Sequence, residues 1–335
     1  MSTTKATLAK VAALAGVSKS QASDALRGSG RVSEESRRKV LAAAKELGYR
    51  TDSSARSLRS GSSRLIAIHL DPASTQDAEG GLLPFWSRFV TNFASTVESY
   101  GYRTVLDVGS THGQMFELPA SAVIFVSTTE VAVEVPSSSG FGRIVSFFGS
   151  RQFGSPDHAT LIDCSHDYVQ IGDDVATHFA QAGARAVLVL RRPGKHAYQD
   201  AVVTQLSLQR AAAGIEVVSR QSDGTASGQA EVVKDALAEL EIDGVFNLGG
   251  SLSSVVAALR SQGLEPAESA GRGGAVVVNQ SDTLGDQIGL GVITLLKLEG
   301  GQMGMDIGDH IVAAISGRPT EHVTFKHALA AIDQR

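Results

Sequence analysis

The N-terminal part of the chain concentrates side chains that can pair with phosphate groups. Lys19, Arg27 and Arg31 lie on or beside one short helical segment, and lysine and arginine are the usual partners of a nucleic-acid backbone. Residues 1–64 contain 13 lysines and arginines against five acidic residues, a formal charge of +8, whereas residues 65–335 contain 17 against 30, a charge of −13. This split predicts a polyanionic partner for the N-terminal part alone.

Two short helices joined by a tight turn are predicted to position these basic residues. Apolar residues recur at positions 8, 11, 12 and 15, which is the spacing of one helical face, and Gly16 ends this first helix. Ser18 followed by Gln21 has the pattern of a capping box, in which each side chain bonds the other residue's backbone amide at the start of a second helix. That helix is predicted to stop at residues 28–30, a Gly-Ser-Gly sequence.

A third helix is predicted to brace the first two. It begins at Ser33, where Glu34 and Glu35 suit the positive end of the helix dipole, and it ends at Gly48. Its predicted buried residues are Val40, Leu41, Ala44 and Leu47. This arrangement predicts a helix-turn-helix headpiece that is all α. The alternative is a basic helical bundle without a DNA partner, and the charge of +8 favours DNA binding.

The rest of the chain shows strands that alternate with helices. Such alternation predicts an α/β body with parallel sheets, whose ligands bind beyond the carboxyl ends of the strands. The body has about 270 residues, more than one such sheet needs, so we expect two lobes around a cleft. The predicted strands are 65–70, 104–108, 122–126, 144–148, 186–190, 245–248 and 275–278, and the predicted helices are 85–100, 167–182, 230–240, 252–261 and 302–315.

The N-terminal residue types and their spacing form a specific pattern between residues 7 and 59. It comprises Thr7-Leu8, Val11-Ala12, Ala15-Gly16-Val17-Ser18, Ser23, Leu26, Gly28-Ser29-Gly30, Val32-Ser33, Leu47-Gly48-Tyr49 and Ala55-Arg56-Ser57-Leu58-Arg59. This pattern resembles the DNA-binding headpiece and hinge helix of the lactose-repressor (LacI/GalR) family of bacterial transcriptional regulators. Residues 84–102, 172–178 and 303–317 fit the two-lobed, periplasmic-binding-protein-like body of that family more loosely.

The resemblance implies a division into three parts. Residues 1–50 would be the headpiece, residues 51–64 the hinge helix and linker, and residues 65–335 the effector-binding and dimerisation body. Within the body it implies an N-lobe at about 65–157 and 285–317 and a C-lobe at about 158–284 and 318–335.

The resemblance also implies a repressor, a homodimer or a tetramer, that binds a palindromic double-stranded DNA operator. A small-molecule effector in the cleft, such as a sugar, a nucleoside or a related metabolite, would control it allosterically, and no cofactor is implied. The second helix would enter the major groove, and Leu58 would act as an apolar wedge in the minor groove. The implied DNA-binding residues are Thr7, Ser18, Lys19, Ser20, Ser23, Asp24, Arg27, Arg31, Tyr49, Ala55, Arg56, Leu58 and Arg59.

Four residues of the headpiece and hinge depart from the family pattern. Lys10 stands where an acidic residue is common, and Asp24 stands where arginine is common on the base-reading face. Aspartate can accept a hydrogen bond from the cytosine amino group but cannot replace arginine on guanine. We therefore expect an operator that differs from the family consensus at the base that Asp24 reads. Thr51-Asp52 replaces a Pro-Asn pair, and Asp52 can still cap the hinge helix.

Polar or aromatic residues that follow predicted strand ends are the candidate effector ligands. For each of them a solvated loop residue is the alternative, and for Trp86 the alternative is burial in the core. Sugar-binding family members carry an arginine near residues 196–200 and an aspartate near residues 248–251, and both are missing here. Their absence predicts a different effector or none. The candidates are Asp71, Trp86, Ser127, Tyr198, Asn247, Ser251 and Asp282, with Asp163 and His196 in similar positions.

Other functional classes fit the sequence less well. Motifs of the G-x-S-x-G, P-loop and G-x-G-x-x-G types are absent, so no enzyme class is indicated. The single cysteine, Cys164, excludes an internal disulfide, and the spacing of His158, His166 and His178 does not suit a metal. A secreted solute receptor would need a signal peptide, whereas the polar start and the lack of a long apolar stretch predict a cytoplasmic protein that does not enter the membrane. The open alternative is a DNA-binding regulator whose body only dimerises.

Overall fold

The structure is a computed structural model that describes residues 7–27, 32–47, 63–70, 84–108, 118, 120–133, 144–153, 160–194, 196–281, 289–319 and 323–334. The chain divides into two compact units, residues 1–62 and 63–335. The first is the helical headpiece and the second is the α/β body. In the part of the chain that the structure describes, no helix combines the length and the apolar character that a membrane crossing requires.

The headpiece contains the three predicted helices, α1 (Leu8–Ala15), α2 (Lys19–Arg27) and α3 (Glu34–Glu46). Gly16 ends α1 with a φ of 67°, a left-handed conformation that glycine adopts at little cost and that directs the chain into α2. Small residues dominate the core, which lets these short helices approach closely. The buried core residues are Val11, Ala12, Ala15, Ala22, Ala25, Val40, Ala43 and Ala44.

The prediction that Leu41 is buried is wrong, because its side chain is 49% exposed. Val40, Ala43 and Ala44 form the inward stripe of α3, and Leu47 packs partly against it. Position 41 lies about 100° around the helix from position 40, outside this stripe. Ala43 occupies the inward position instead.

The N-lobe of the body is built on a parallel sheet with the strand order β12-β5-β4-β3-β1-β2. Helices α4 (Pro84–Ser99) and α9 (Gly300–Ile315) pack against each other over this sheet. The approach is close because Gly304 has no side chain: a Cβ there would lie 2.3 Å from the carbonyl oxygen of Phe89. The strands are β1 (Leu65–Leu70), β2 (Arg103–Val108), β3 (Ala122–Val133), β4 (Ile144–Phe153), β5 (Thr160–His166) and β12 (Val323–Phe325).

The C-lobe is built on a second sheet with the order β13-β11-β10-β8-β6-β7, in which β13 runs antiparallel to β11. A short strand, β9, pairs with β10 beside this order. The strands are β6 (Ala186–Arg191), β7 (Glu216–Gln221), β8 (Gly244–Asn247), β9 (Glu265–Pro266), β10 (Gly274–Ser281), β11 (Gly291–Lys297) and β13 (Ala328–Gln334), and the helices are α5 (Tyr168–Gln181), α6 (Ala197–Ala213), α7 (Ala226–Glu239) and α8 (Leu252–Ser261).

The strand pairing corrects the predicted lobe boundaries at three strands. β5 was assigned to the C-lobe but pairs with β4, and β12 was assigned to the C-lobe but pairs with β5, so both belong to the N-lobe sheet. β11 was assigned to the N-lobe but lies between β10 and β13 in the C-lobe sheet. Each of these strands stays hydrogen-bonded in its sheet up to the crossover itself. The chain therefore passes between the lobes after His166, after Lys297 and after Phe325.

Candidate nucleic-acid and effector sites

The start of α2 is fixed by a reciprocal capping box, as the sequence predicts. The Gln21 amide donates to Ser18 Oγ at 3.1 Å, and the Ser18 amide donates to Gln21 Oε1 at 3.1 Å. Ala22 and Ala25 are buried on the other side of the helix. These contacts determine which side of α2 faces solvent.

The solvent side of α2 carries the residues that the resemblance assigns to DNA. Ser18, Lys19 and Ser20 are exposed at the N-terminal end, and Ser23 and Asp24 follow as half-buried residues. Of the other assigned residues, Thr7 caps α1 by accepting from the Lys10 amide at 3.4 Å, and Arg27 is the last residue of α2. Outside the described residues lie Arg31, Tyr49, Ala55, Arg56, Leu58 and Arg59.

The N-terminal ends of α2 and α3 differ in charge. The first turn of α3 holds Glu34 and Glu35, and Glu35 pairs with Lys39 at 2.7 Å. The hydrogen bond and the charge of Lys39 lower the pKa of Glu35, so it is ionised at neutral pH. The first turn of α2 has no acidic residue and starts with Lys19. The positive helix dipole at α2 therefore adds to the lysine charge, which suits a phosphate group.

A row of buried side-chain amides lies at the carboxyl ends of β8 and β10 in the C-lobe. Gln229 Nε2 donates to Asn247 Oδ1 at 2.8 Å, and Asn247 Nδ2 donates to Asn279 Oδ1 at 2.7 Å. Gln229 also donates to the Gly249 carbonyl oxygen at 3.1 Å. Asn247 was predicted, whereas Gln229 and Asn279 were not. Asn279 follows the predicted strand 275–278 directly, so the rule that gave Asn247 would have found it.

Tyr198 and Ser251 have defined partners near the same edge of the sheet. Tyr198 lies at the start of α6, is buried, and donates from its hydroxyl to Gln280 Oε1 at 2.6 Å. Burial raises the pKa of Tyr198, so the phenol is a neutral donor. Ser251 caps α8 by accepting from the Ser254 amide at 3.3 Å. The cap accounts for Ser251 structurally, and its role toward an effector stays a prediction.

Trp86 lies in the N-lobe core rather than on a surface. It is 3% exposed and packs edge-on against Phe85 and Phe89, with ring centroids 4.5 and 5.9 Å away. Core packing explains this residue, and a role in stacking on a ligand stays a prediction. Ser127 lies in β3 and Asp163 in β5, whereas Asp71 and Asp282 lie outside the described residues.

His196 is also buried, and its Nε2 lies 2.9 Å from the Pro193 carbonyl oxygen. Within the described ranges, no group of three or more histidine, cysteine or carboxylate side chains could hold a metal ion.

Comparison with known proteins gives a family match for the headpiece and a shared fold for the chain as a whole. Residues 7–52 match the family profile of the bacterial regulatory proteins of the lacI family. No curated protein matches the sequence. Among solved structures, the fold resembles the lac repressor dimer bound to operator and the anti-inducer ONPF (18% identity, TM-score 0.75, 99% of each chain covered).

Two further structures share the fold over almost their full length. One is a LacI-family transcriptional regulator from Silicibacter pomeroyi (19% identity, TM-score 0.67, covering 98% of this chain and 99% of that one). The other is the transcriptional regulator CelR in complex with cellobiose (20% identity, TM-score 0.62, with coverage of 98% and 99%). The TM-scores and coverages show a shared fold for the headpiece and the periplasmic-binding-protein-like body.

Proposed function

Residues 7–52 are a DNA-binding headpiece of the lacI family of bacterial regulatory proteins, and from this premise we propose that the chain is a cytoplasmic, dimeric transcriptional repressor. Two headpieces bind the half-sites of a palindromic operator, with α2 in the major groove of each. A small molecule between the lobes changes the affinity for the operator. The bound effector does so by favouring one arrangement of the lobes over another.

The observation that carries the DNA-binding proposal is the exposed start of α2. Ser18, Lys19 and Ser20 are held at solvent by the capping box and by the burial of Ala22 behind them. Hydroxyl and ammonium groups at a positive helix end can bond both phosphate oxygens and base edges.

The effector that we propose is neutral and rich in hydroxyl or amide groups. The described polar groups at the carboxyl ends of β8 and β10 are the side-chain amides of Gln229, Asn247, Asn279 and Gln280, with the Tyr198 hydroxyl beside them. Amides both donate and accept, as the hydroxyl groups of a sugar or nucleoside do. The CelR–cellobiose complex shows that a regulator of this fold holds a disaccharide.

The second candidate is a DNA-binding regulator whose body only dimerises. The burial of Asn247, Asn279 and Tyr198 favours it, because each already has a protein partner. The two candidates make opposite predictions for a small-molecule screen, whereas both require operator binding.

An operator selected from a random duplex pool tests the DNA-binding proposal. Lys19→Ala should weaken binding and reduce the slope of log affinity against log salt by about 1, because one phosphate contact is lost. Lys45→Ala, which removes an exposed lysine in the last turn of α3, is the matched control and should leave both quantities unchanged. Failure to select any operator, or equal effects of the two variants, would refute the assignment of α2.

The role of Asp24 is tested by competition across single-base variants of that operator. Asp24→Ala should relax the preference at one base pair by about 1–3 kcal/mol. An unchanged preference would show that Asp24 does not read a base.

The effector proposal is tested with the same operator and a panel of sugars, nucleosides and phosphorylated metabolites. At least one neutral compound should change the operator affinity at least tenfold. If none does, the dimerisation-only function is the one that survives.

A further inference from the structure

The three chain crossovers between the lobes meet at one buried histidine. His327, in the third crossover, directs its Nδ1 to the Lys297 carbonyl oxygen of the second crossover at 3.1 Å. Its Nε2 lies 2.6 Å from Nδ1 of His166, the last residue before the first crossover. Gln170, in the first turn of α5, bonds both sides of the His327 backbone, accepting from its amide at 2.9 Å and donating to its carbonyl at 2.6 Å. One residue thus links all three crossovers.

These contacts fix the protonation of the pair. A carbonyl oxygen can only accept, so His327 carries its proton on Nδ1 and its Nε2 is an acceptor. His166 must then donate from Nδ1–H to His327 Nε2. The arrangement disfavours an added proton on either ring. A proton added to His327 Nε2 would place two N–H groups face to face across 2.6 Å, and a proton added to His166 Nε2 would place a charge in a buried site.

The surroundings of the pair disfavour a positive charge. Both rings are buried, and the His166 ring packs against Tyr198 and Tyr168 with centroids 4.8 and 6.2 Å away. Burial and the neighbouring His327 lower the pKa of His166, and burial lowers the pKa of His327.

The charged groups around the pair come from three elements. Asp167 caps α5 and acts against the effect of burial on His327. Lys297 ends β11 and is half-buried, and Lys326 precedes His327 and is exposed. The two phenols from α5 and α6 are neutral, since burial raises the pKa of both. Asp167 is therefore the acidic group of this set, and it lies on a crossover rather than within either lobe.

We propose that the His166–His327 pair is a proton-sensitive latch between the lobes. It holds the lobes in the present arrangement while both rings are neutral, and it opens when the pair takes up a proton from solvent. The latch concerns the body alone and does not require that the headpiece bind DNA. If the headpiece does bind, an open latch changes the operator affinity through the lobe arrangement.

The expected size of the effect follows from ordinary imidazole titration. In the open arrangement we take each ring to titrate near the ordinary imidazole pKa of about 6.5, whereas in the latched arrangement burial lowers the pKa of both rings. The ratio of open to latched molecules should then rise up to about 100-fold between pH 7.5 and pH 5.5, about tenfold for each histidine.

The test measures the distance between the lobes as a function of pH. Spin labels are attached at Ser95→Cys on α4 and Lys234→Cys on α7, two exposed positions, in a chain that carries Cys164→Ala. Labelled chain is mixed with an excess of unlabelled chain, so that most of the labelled dimers carry labels on one subunit only and the measured distance lies within that subunit. The distance distribution of the otherwise unchanged protein should shift between pH 7.5 and pH 5.5, and circular dichroism at both pH values confirms that the chain stays folded.

Two variants separate the latch from other titrating groups. His327→Gln can accept from His166 and donate to the Lys297 carbonyl but takes up no proton. Only His166 then still titrates, so the rise in the ratio of open to latched molecules should drop from up to about 100-fold to about tenfold at most, and the shift of the distance distribution should be clearly smaller. His310→Gln is the control and replaces a half-buried histidine that contacts the Asp306 carbonyl of its own helix. The distance distribution of this variant should shift as that of the parent protein does. No shift in the parent protein, or an equal shift in His327→Gln, would overturn the proposal.

A second measurement does not depend on how the variants fold. Nitrogen NMR of the imidazoles at pH 7.5 should show His166 and His327 neutral and protonated on Nδ1. Protonation of His327 on Nε2 at this pH would contradict the hydrogen-bond direction on which the latch depends.

Discussion

Truncation of Val40 should destabilise the headpiece far more than truncation of its neighbour Leu41. Val40 is fully buried, and Val40→Ala removes two methyl groups from a core that consists largely of alanines. The lost transfer free energy and the remaining cavity together cost about 2 kcal/mol. A helical unit of about 40 residues has a free energy of unfolding of only about 2–6 kcal/mol. The substitution therefore removes a large part of it.

Leu41→Ala is the matched control on the same helix. The Leu41 side chain is 49% exposed, so its truncation loses little burial, and alanine has the higher helix propensity. The net change should stay within about 0.5 kcal/mol.

Hydrogen exchange measured by mass spectrometry on the full chain is a suitable assay. Peptides from α3 report the opening of the headpiece, and a loss of about 2 kcal/mol accelerates their exchange about 30-fold. Peptides from the C-lobe serve as the internal reference and should exchange at unchanged rates. Equal acceleration in both variants would refute the assignment of Val40 to the core and of Leu41 to the surface.

Three further outcomes are expected. Ser18→Ala removes the cap of α2 and should lower headpiece stability by about 1 kcal/mol, visible as faster exchange in α2, and no change would mean that the capping box is not formed. Gly304→Ala should destabilise the body by about 2–3 kcal/mol in urea unfolding, because its Cβ would lie 2.3 Å from a backbone oxygen of α4. Gly301→Ala, whose Cβ would meet only the Asn92 side chain, with Nδ2 at 3.1 Å and Cγ at 3.6 Å, should stay within about 1 kcal/mol, and equal effects of the two substitutions would refute the close approach. Because burial lowers the pKa values of His166 and His327 in the folded body, the free energy of unfolding should fall as the pH drops below about 6.5, and urea unfolding at constant stability across this range would contradict their burial as neutral rings.

The headpiece was predictable from sequence because local signals determine it. The Ser18–Gln21 capping box, the Gly16 terminator and the 3.6-residue apolar period each act within a few residues, and all three helices follow them. The side chain at position 41 was wrongly predicted to be buried. Valine, leucine and alanine occupy adjacent positions there, so the sequence is compatible with two inward stripes that differ by one residue. Only the packing of α1 and α2 against α3 decides it.

The body was predictable in class but not in connectivity. Strands rich in valine and isoleucine, such as β1 and β6, were found because their apolar runs are continuous. The elements that were not predicted are α6, β5, β7, β9, β11, β12 and β13. Most of these segments are short or of mixed pattern, whereas β11 was missed although its apolar run is continuous. The lobe to which a strand belongs depends on which neighbour it pairs with, and no local pattern encodes the pairing of β12 with β5.

The polar networks were predictable only in part. Asn247 lies at the end of a predicted strand and Tyr198 follows another, and the structure gives each a hydrogen-bond partner. The contact between His166 and His327 joins residues 161 positions apart. It exists because two crossovers meet there, so it could not be read from spacing.

The salt dependence of operator binding tests the central claim most directly. With a selected operator, the logarithm of the affinity of the full chain should fall linearly and steeply with the logarithm of the salt concentration. The loss should be about 10³-fold or more between 50 and 200 mM salt, because the basic headpiece releases counterions from the DNA. An affinity that stays flat across this range, or a chain that binds no duplex from a random pool, would contradict the assignment of the headpiece to DNA.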